Sequence, residues 1–332
     1  MSDSVRGYPL RAFVICLIAY TTAQMDLALF GYAVPAIRAE FGLTLSEVMA
    51  IVSSAFLLGG ALLVVLGWLA DRMGRLPLFQ FSLLGSSFLV ALISIASGVA
   101  TLTALRGASI AVGGLSYPIT GAIITEEMPA RLRGLFMGLL QIGYPLGWAL
   151  ASLWSMWLLT EYGWRQLFWV GLISLPMVWV VRRYLREPPR SVAARSTQSP
   201  PRFSDLFATG IRERAITLFI AQFLFVWAYA ASIFLFPSFL REVRALDAFN
   251  FSLLIGAGNA IGVLGYVLAA WIGERVWTRR NTVVLWTLLG ALLFQVLVWV
   301  PTSFGQILLV YALMSMFFYG SAAVKFAYLA EV

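Results

Sequence analysis

The chain has 332 residues, of which 61% are hydrophobic and 11% charged, and its mean hydropathy is +0.88. Soluble globular proteins are about 45–50% apolar and about 25% charged, so the composition excludes a soluble domain and indicates a polytopic membrane protein. There is no histidine and only one cysteine, Cys16, which excludes internal disulfides, histidine proton relays and the common zinc sites.

Ten apolar segments follow one another along the chain. The first, near residues 12–37, is too long for a signal-peptide core, so we expect it to be retained as span 1. Spans 2 to 6 are predicted at residues 46–69, 77–99, 101–125, 133–159 and 165–185. Residues 186–214 are rich in proline, serine and arginine, which predicts a linker with a short surface helix near residues 203–209. Spans 7 to 10 are predicted at residues 215–239, 248–272, 281–300 and 304–329.

The loop charges predict the orientation of these spans. The net charge of +8 comes almost wholly from arginine, because Lys325 is the single lysine. Seventeen arginines lie in the N-terminal segment, in the linker and in the loops on that same side, against four on the other side. By the positive-inside rule, the N-terminus and the linker face the cytoplasm. This one-sided pattern also argues against a nucleic-acid partner.

A charged, glycine-containing segment joins spans 2 and 3, with the sequence Gly67-Trp68-Leu69-Ala70-Asp71-Arg72-Met73-Gly74-Arg75-Leu76. Glycine permits a tight turn, and an acid beside arginines can form charge-assisted hydrogen bonds with a neighbouring helix end. A second copy, Ala270-Trp271-Ile272-Gly273-Glu274-Arg275, ends span 8, but Trp277 replaces Gly74, so its turn must differ. The repeat predicts two related bundles, residues 1–185 and 215–332, joined by the linker.

The first of these segments resembles the G-x-L-A-D-R-x-G-R loop signature of the major facilitator superfamily of secondary transporters. After span 4, residues 126–134 (Glu-Glu-Met-Pro-Ala-Arg-Leu-Arg-Gly) resemble the E-x-x-P-x-R-x-R-G motif of the family. Residues 163–171 and 185–190 resemble the G-W-R-x-x-F…G and P-E-S-P-R hallmarks of the sugar-porter and metabolite:proton symporter branches, with proline replacing the serine. The resemblance covers essentially the whole chain and implies an all-α membrane fold of two six-helix pseudo-repeats.

The number of spans differs from that of the resembled family, in which a complete member has twelve. Ten are predicted here, and residues 328–332 repeat the beginning of the motif that follows span 4. We therefore expect a partial sequence whose second bundle lacks its last two helices. A native ten-span protein is the alternative.

Three ionisable residues lie inside predicted spans, where charge is costly and marks candidate functional sites: Asp26, Arg106 and Lys325. At 1.5 Å per residue, Asp26 lies roughly 22 Å from the cytoplasmic start of span 1, and Arg106 roughly 7 Å below the outer face. Both therefore lie at one depth in a core of about 30 Å, where opposite charges should pair. The family resemblance agrees, because Asp26 opens a D-x-x-x-x-G-x-x-x-P motif and Arg106 opens the span-4 R-x-x-x-G motif tied to proton coupling.

Two hypotheses follow for these charges. Asp26 takes up a proton when the cavity faces outward, which releases Arg106, and loses the proton inside; the alternative is a purely structural ion pair. Lys325 either extends to the cytoplasmic interface or anchors an anionic substrate near the inner end of the cavity.

Neutral polar residues in the spans are candidates to line a substrate path. They are Gln24, Tyr117, Gln141, Tyr144, Gln222, Tyr229, Asn259 and Tyr319. As a set they match the spans that line the central cavity of the resembled family, although each alone is compatible with an ordinary interhelical hydrogen bond. Most aromatic residues are expected to face lipid or the membrane interface.

Small and charged residues suggest how the spans move. Glycines repeat along spans 5 and 8, which in the resembled family meet across the two halves and slide; static packing within each half is the alternative. The resemblance also implies a cytoplasmic latch that holds the outward-facing state. Its members are Gly67, Asp71, Arg72, Gly74, Arg75, Glu126, Arg131 and Arg133.

The function predicted from the sequence is proton-coupled symport of a small organic acid anion by a monomer in the membrane, the inner membrane if the source is bacterial. Sugar uptake and proton-driven efflux of drugs or metabolites remain open on the same fold, and a non-transporting membrane sensor is the alternative from another class. The expected partners are the solute, protons and the lipid bilayer. The sequence offers no metal set, no nucleophilic triad and no nucleotide loop, so we expect neither an enzyme nor a cofactor.

Overall fold

The computed structural model describes residues 7–187, 212–229 and 233–329. Most of the predicted linker, with its expected helix at residues 203–209, lies outside these ranges, so the boundary between the two bundles stays a prediction. Side chains at residues 67–72, Gln222, Tyr229 and Glu274 are also outside the description.

The described part of the N-terminal bundle consists of helices. Span 1 is Tyr8–Phe41, span 2 is Leu45–Met73, and span 3 is Arg75–Leu92 with a 3₁₀ turn at Ile93–Ile95. Span 4 is divided into Val99–Gly114 and Ser116–Glu127. A 3₁₀ turn, Ala130–Leu132, precedes span 5, which comprises Arg133–Leu140, Gly143–Trp154 and a π-helical turn at Ser155–Leu159. Span 6 comprises Trp164–Leu167, the 3₁₀ segment Phe168–Ser174 and Leu175–Tyr184.

The second bundle continues the same architecture. Span 7 is described as Arg212–Tyr229 and is followed on the predicted outer side by the short helix Phe236–Glu242. Spans 8, 9 and 10 are Ala248–Arg275, Arg279–Trp299 and Phe304–Leu329. Nine helical stretches in the described residues, all the spans except span 7, are long and apolar enough to cross a membrane.

The connection between spans 2 and 3 is tighter than predicted. The span 2 helix continues through Asp71 and Arg72 to Met73, and only Gly74 leaves the helical conformation before Arg75 begins span 3. Gly74 has φ of +104°, a backbone conformation that side-chain-bearing residues rarely adopt. The corresponding turn after span 8 lacks this glycine and instead uses Thr278, whose hydroxyl accepts a hydrogen bond from the Asn281 N–H at the start of span 9.

Glycines set the register between spans 1 and 5. A methyl group added at Gly147 would lie 2.6 Å from Cβ of Gln24 and 2.7 Å from the backbone nitrogen of Met25. Real Cβ atoms do not approach so closely, so the two backbones touch because position 147 has no side chain. This contact places the backbone of Trp148, the next residue, near that of Met25, while its indole ring reaches Gly31 and Tyr32 further along span 1.

Spans 5 and 8 meet across the two halves in an antiparallel arrangement. Near the predicted outer side, Gly256 faces Ser152, whose hydroxyl donates to the Ser252 carbonyl at 2.6 Å. Near the cytoplasmic side, a methyl group at Gly138 would lie 4.0 Å from Cβ of Ala270. Other glycines of span 8 pack within their own half, since Gly258, Gly262 and Gly265 face span 10. The glycines therefore form contacts both across the two halves and within the second half, and the sliding of span 5 against span 8 stays a prediction.

Aromatic rings from both halves pack against one another along the interface between the two bundles, which is called the seam below. Tyr32 stacks on Phe251 with ring centroids 6.5 Å apart, and Phe30 stacks on Phe234 at 6.4 Å. These four rings are at most 1% exposed. These four rings are exceptions to the expectation that most aromatic residues face lipid, because rings on the two facing bundles bury one another.

Candidate functional site

A cavity of about 120 Å³ lies among spans 1 to 4, inside the N-terminal bundle. Its walls are mostly apolar, with Leu27, Phe56 and Val90 among them, and Gly113 and Gly114 leave room on span 4. Of the residues expected from the sequence, it brings together Gln24, Asp26 and Arg106. The lining is Ala23, Gln24, Asp26, Leu27, Phe56, Ser86, Val90, Arg106, Ser109, Ile110, Gly113 and Gly114.

Asp26 is the acidic group of this cavity. Its side chain is buried, with 4% of the residue exposed, and neither carboxylate oxygen accepts a hydrogen bond from any described residue. Buried polar atoms in folded proteins are almost always hydrogen-bonded, and those that are not often mark functional positions. The arrangement leaves the carboxylate able to exchange a proton with a molecule entering the cavity.

Arg106 is the basic group and is held by the same stretch of span 1. Its Nη2 donates a hydrogen bond of 2.9 Å to the carbonyl of Leu27, the residue next to Asp26. Its guanidinium carbon lies 4.6 Å from the ring centroid of Phe30, a cation–π contact. The expected pairing of Asp26 and Arg106 therefore takes a different form: the two charges share a cavity, but no hydrogen bond joins the Asp26 carboxylate to the guanidinium.

A second group of expected residues forms a network toward the cytoplasmic side of Asp26. The Gln141 amide donates to the Tyr117 hydroxyl at 3.1 Å, and the Tyr20 hydroxyl donates to the Gln141 carbonyl oxygen at 3.3 Å. These three residues join spans 1, 4 and 5 of one half. Tyr117 and Gln141 thus engage in interhelical hydrogen bonds, which was the alternative to a substrate-lining role.

The third group lies at the seam. Tyr144 and Tyr319 meet across the halves with ring centroids 5.5 Å apart, and Tyr144 also contacts the ring of Trp148 at 6.4 Å. On the opposite side of the seam, Asn259 is fully buried and donates to the Tyr311 hydroxyl at 3.2 Å. Sequence analysis missed Trp148 and Tyr311. The available signal was the four-residue spacing of Tyr144 and Trp148, which puts both on one helix face.

Lys325 lies apart from these groups. It is half-buried near the cytoplasmic end of span 10 and does not line the cavity of Asp26. Its neighbour Val324 lines a small crevice with Gly138 and Ala270, where spans 5, 8 and 10 meet. Lys325 is therefore placed at the inner end of the seam. Tyr229, the remaining expected residue, has a side chain outside the described part.

The described residues of the expected latch form contacts within the first half. Arg75 pairs with Glu126 at the end of span 4, and the Glu187 carboxylate accepts hydrogen bonds from the backbone N–H groups of Arg75 and Leu76, at 2.8 and 3.0 Å. Arg133 donates to the Met128 carbonyl at 3.2 Å. Glu187 was not expected from the sequence, although an acid at a helix N-terminus is favourable.

The described residues hold no group of three or more Cys, Asp or Glu side chains arranged to bind a metal ion.

Two ion pairs lie on the predicted outer side, one between the two halves and one within the first half. Arg38 at the end of span 1 pairs with Glu242 of the second half, whereas Arg165 pairs with Glu40 inside the first half, at 2.5 Å.

Comparison with known proteins identifies the fold. The family model of the Major Facilitator Superfamily matches residues 16–331. The chain is 28% identical to the cis,cis-muconate transport protein of Acinetobacter baylyi, over 81% of this chain and 67% of that protein. It is 23% identical to the gallate transporter of Pseudomonas putida, over 83% of this chain and 69% of that one. The chain thus spans about two thirds of the length of these relatives.

A solved structure of a transporter has the same overall fold as this chain. The xylose transporter XylE from E. coli, in a partially occluded inward-open conformation, superposes with a TM-score of 0.73 at 17% sequence identity, covering 98% of this chain and 85% of that one. The family match and the apolar helices confirm the all-α membrane fold and the family resemblance inferred from the sequence. The chain is a multi-pass integral membrane protein and belongs to the Major Facilitator Superfamily.

Proposed function

We propose that the protein carries small organic acid anions together with protons across the inner membrane of a bacterial cell, by alternating access and as a monomer. Membership of the superfamily supports transport. The solute class is suggested by relatives named as carriers of muconate and gallate, which are organic acids. No observation favours sugar uptake or a sensor role over this proposal.

One observation carries the proton-coupling part of the proposal: the buried Asp26 carboxylate accepts no hydrogen bond from the described residues and shares a cavity with Arg106. An isolated buried carboxylate is costly, and the cost falls when it gains a proton or an opposite charge. Asp26 can therefore alternate between a protonated form and a form stabilised by Arg106. A switch between these forms, tied to the side on which the cavity is open, would couple proton flow to transport.

The test is uptake of labelled carboxylates into proteoliposomes with and without an inward proton gradient. We expect accumulation that an uncoupler abolishes. Asp26→Asn should remove accumulation above equilibrium while leaving exchange of solute across the membrane intact, because a neutral amide mimics the protonated acid permanently. Glu161→Gln, at an exposed acid on the predicted outer side, is the matched control and should behave as wild type.

Several outcomes would contradict the proposal. Gradient-driven accumulation by Asp26→Asn at the wild-type level and with the wild-type pH dependence would exclude Asp26 from coupling. Accumulation driven only by a proton gradient of the opposite sign would indicate efflux. Absence of any solute movement by folded, correctly inserted protein would favour a sensor.

We further propose that Lys325 attracts the anion at the inner end of the seam, since it is a half-buried cation beside the crevice between spans 5, 8 and 10. Lys325→Met should abolish uptake of carboxylates without reducing the amount of protein in the membrane. Arg280→Gln, an exposed cation on the same predicted face, is the control. Unchanged uptake by Lys325→Met would instead support an interfacial role for the lysine.

A further inference from the structure

The cavity of Asp26 extends toward the cytoplasm along spans 1 and 4. Its lining residues nearest the predicted cytoplasmic side are Ala23 on span 1 and Gly114 on span 4. The lining hydroxyls of Ser86 and Ser109 each donate to a carbonyl of their own helix, which leaves their oxygens able to accept hydrogen bonds. A cavity of about 120 Å³ with these polar groups has room for several water molecules, which can carry a proton to and from the carboxylate.

Two tyrosine rings lie at the cytoplasmic end of this cavity. Tyr20 comes three residues before Ala23 on span 1, and Tyr117 comes three residues after Gly114 on span 4. At 1.5 Å per residue, each tyrosine is about 4.5 Å beyond the last lining residue of its own span. The ring centroids of Tyr20 and Tyr117 are 5.6 Å apart. The two rings therefore form a floor under the cavity, between Asp26 and the cytoplasm.

Gln141 of span 5 holds the two tyrosines together. Its amide nitrogen donates to the Tyr117 hydroxyl at 3.1 Å, and its amide oxygen accepts from the Tyr20 hydroxyl at 3.3 Å. Gln141 is 2% exposed, so water does not compete for these hydrogen bonds. A single side chain from a third helix thus fixes both rings of the floor.

Beneath the floor, spans 1 and 4 bury apolar side chains. Ala19, Ile123 and Ile124 are each 0% exposed and belong, with Tyr20, to one apolar cluster. These side chains offer a proton neither a donor nor an acceptor. Passage of a proton from the cavity to the cytoplasm therefore requires the floor to open and water to enter.

Gln141 lies where span 5 changes its partners. On its inner side, a methyl group at Gly138 would lie 3.7 Å from a carbonyl oxygen of span 10, in the second half. On its outer side, Gly143 and Gly147 contact span 1. The helix tightens between these contacts, because the N–H groups of Gln141 and Ile142 donate to carbonyls three residues earlier, at 3.1 Å each. A movement of the second half against the inner end of span 5 is thereby transmitted to Gln141.

We propose that Tyr20, Tyr117 and Gln141 form a proton gate between Asp26 and the cytoplasm, which opens when the inner end of span 5 moves with the second half. With the gate closed, the proton on Asp26 has no access to the cytoplasm. When the gate opens, the O–H bond of the carboxylic acid breaks and the proton passes through water to the cytoplasm. Arg106 stabilises the carboxylate that remains. The inference rests on the proposed proton coupling at Asp26 and names the residues that time the release.

The experiment measures proton leak in the absence of solute. Proteoliposomes that contain a pH-sensitive dye receive an acid pulse outside, with potassium and valinomycin present to balance charge. Gln141→Leu keeps the approximate volume but removes both hydrogen bonds, and it should raise the rate of internal acidification about 5-fold or more over wild type. The double variant Asp26→Asn/Gln141→Leu should return the rate to the wild-type level, because the leak passes through the Asp26 carboxyl group.

Milder variants and a matched control accompany this test. Tyr20→Phe and Tyr117→Phe keep the rings and each remove one hydroxyl, so each should give a smaller leak that Asp26→Asn also abolishes. These two variants supply the result if Gln141→Leu does not fold. Gln295→Leu, at an exposed glutamine of span 9, is the control and should not leak.

The outcomes separate the gate from the proposed function. A wild-type leak rate in all three gate variants, or a leak that persists after Asp26→Asn is added, would overturn the gate; the second result would indicate a damaged bundle. Either result leaves proton-coupled transport standing if Asp26→Asn alone still loses accumulation. If Asp26→Asn accumulates solute like wild type, the proposed coupling is overturned and the gate with it.

Discussion

Single residues determine the electrostatics of this bundle. Asp26 is 4% exposed and Arg106 is 2% exposed, in a cavity whose other walls are largely apolar. In such surroundings each charge depends on the other even without a direct hydrogen bond, because the local dielectric constant is low and attraction falls slowly with distance. Leu27 and Phe30 add to the stabilisation of the arginine, through the Leu27 carbonyl and the face of the Phe30 ring.

This dependence can be tested through stability. Arg106→Gln leaves the Asp26 charge buried without an opposite charge in its cavity, and we expect the fold to lose about 3–5 kcal/mol. The double variant Asp26→Asn/Arg106→Gln should recover most of that loss, because neither charge remains. The measurement is thermal unfolding in detergent micelles. A double variant no more stable than Arg106→Gln would show that the two side chains act independently.

At the scale of helices, close backbone contact depends on residues without side chains. Span 5 lies against span 1 at Gly143 and Gly147, and a methyl group at Gly147 would come within 2.7 Å of the Thr21 carbonyl oxygen. Backbone atoms cannot move aside as a flexible side chain does. The π-helical turn Ser155–Leu159 begins about two helical turns beyond Gly147, where span 5 passes to the outer side.

Gly147→Ala should therefore destabilise the protein by about 1–3 kcal/mol, as overpacking does in other cores. The control is Gly60→Ala in span 2, where nothing lies within 4 Å of the added methyl group. Since alanine is a better helix former than glycine, the control should be neutral or stabilising by up to about 1 kcal/mol. Unfolding midpoints of the two variants in one detergent give the comparison. Equal midpoints would mean that spans 1 and 5 can separate at little cost.

At the scale of the whole molecule, the two halves are joined on the predicted outer side by the ion pair of Arg38 and Glu242. The side chains are 18% and 41% exposed, so water screens the interaction. A pair of this kind contributes about 0.2–1 kcal/mol. That amount is small for the fold but sufficient to bias an equilibrium between conformations.

Arg38→Ala or Glu242→Ala should shift the population toward an outward-open state by up to about 5-fold. The exchange Arg38→Glu/Glu242→Arg should restore the original distribution, which excludes a simple loss of packing. Spin-label distance distributions across the outer ends of spans 1 and 7 measure the shift. If the single variants and the exchange have the same distribution as wild type, the pair does not hold the outer side closed.

The share of the structure that could be predicted from the sequence differs between residues, helices and the whole molecule. Apolar segments, glycine-containing turns and charged loops are local features, so the sequence determined the positions of nine of the ten predicted spans in the described residues, the membrane class and the family. It also singled out Asp26 and Arg106, since ionisable residues in apolar segments stand out without any structure. How these two side chains lie relative to each other was not accessible from the sequence. Arg106 donates to a backbone carbonyl of span 1, and because every residue has a backbone carbonyl, the sequence does not indicate which one accepts.

Only the tertiary structure decided which polar residues share a site. Gln24, Tyr117, Gln141, Tyr144 and Asn259 are alike in sequence, yet they belong to three separate groups: the Asp26 cavity, a hydrogen-bond network within one half, and the seam. The spacing of Trp148 from Tyr144 is a weak signal in an aromatic-rich sequence, and only the structure shows that its indole N–H has no hydrogen-bond partner among the described residues. The physical reason is that satisfaction of a buried polar atom depends on which helices pack against it, and packing is a property of the assembled bundle.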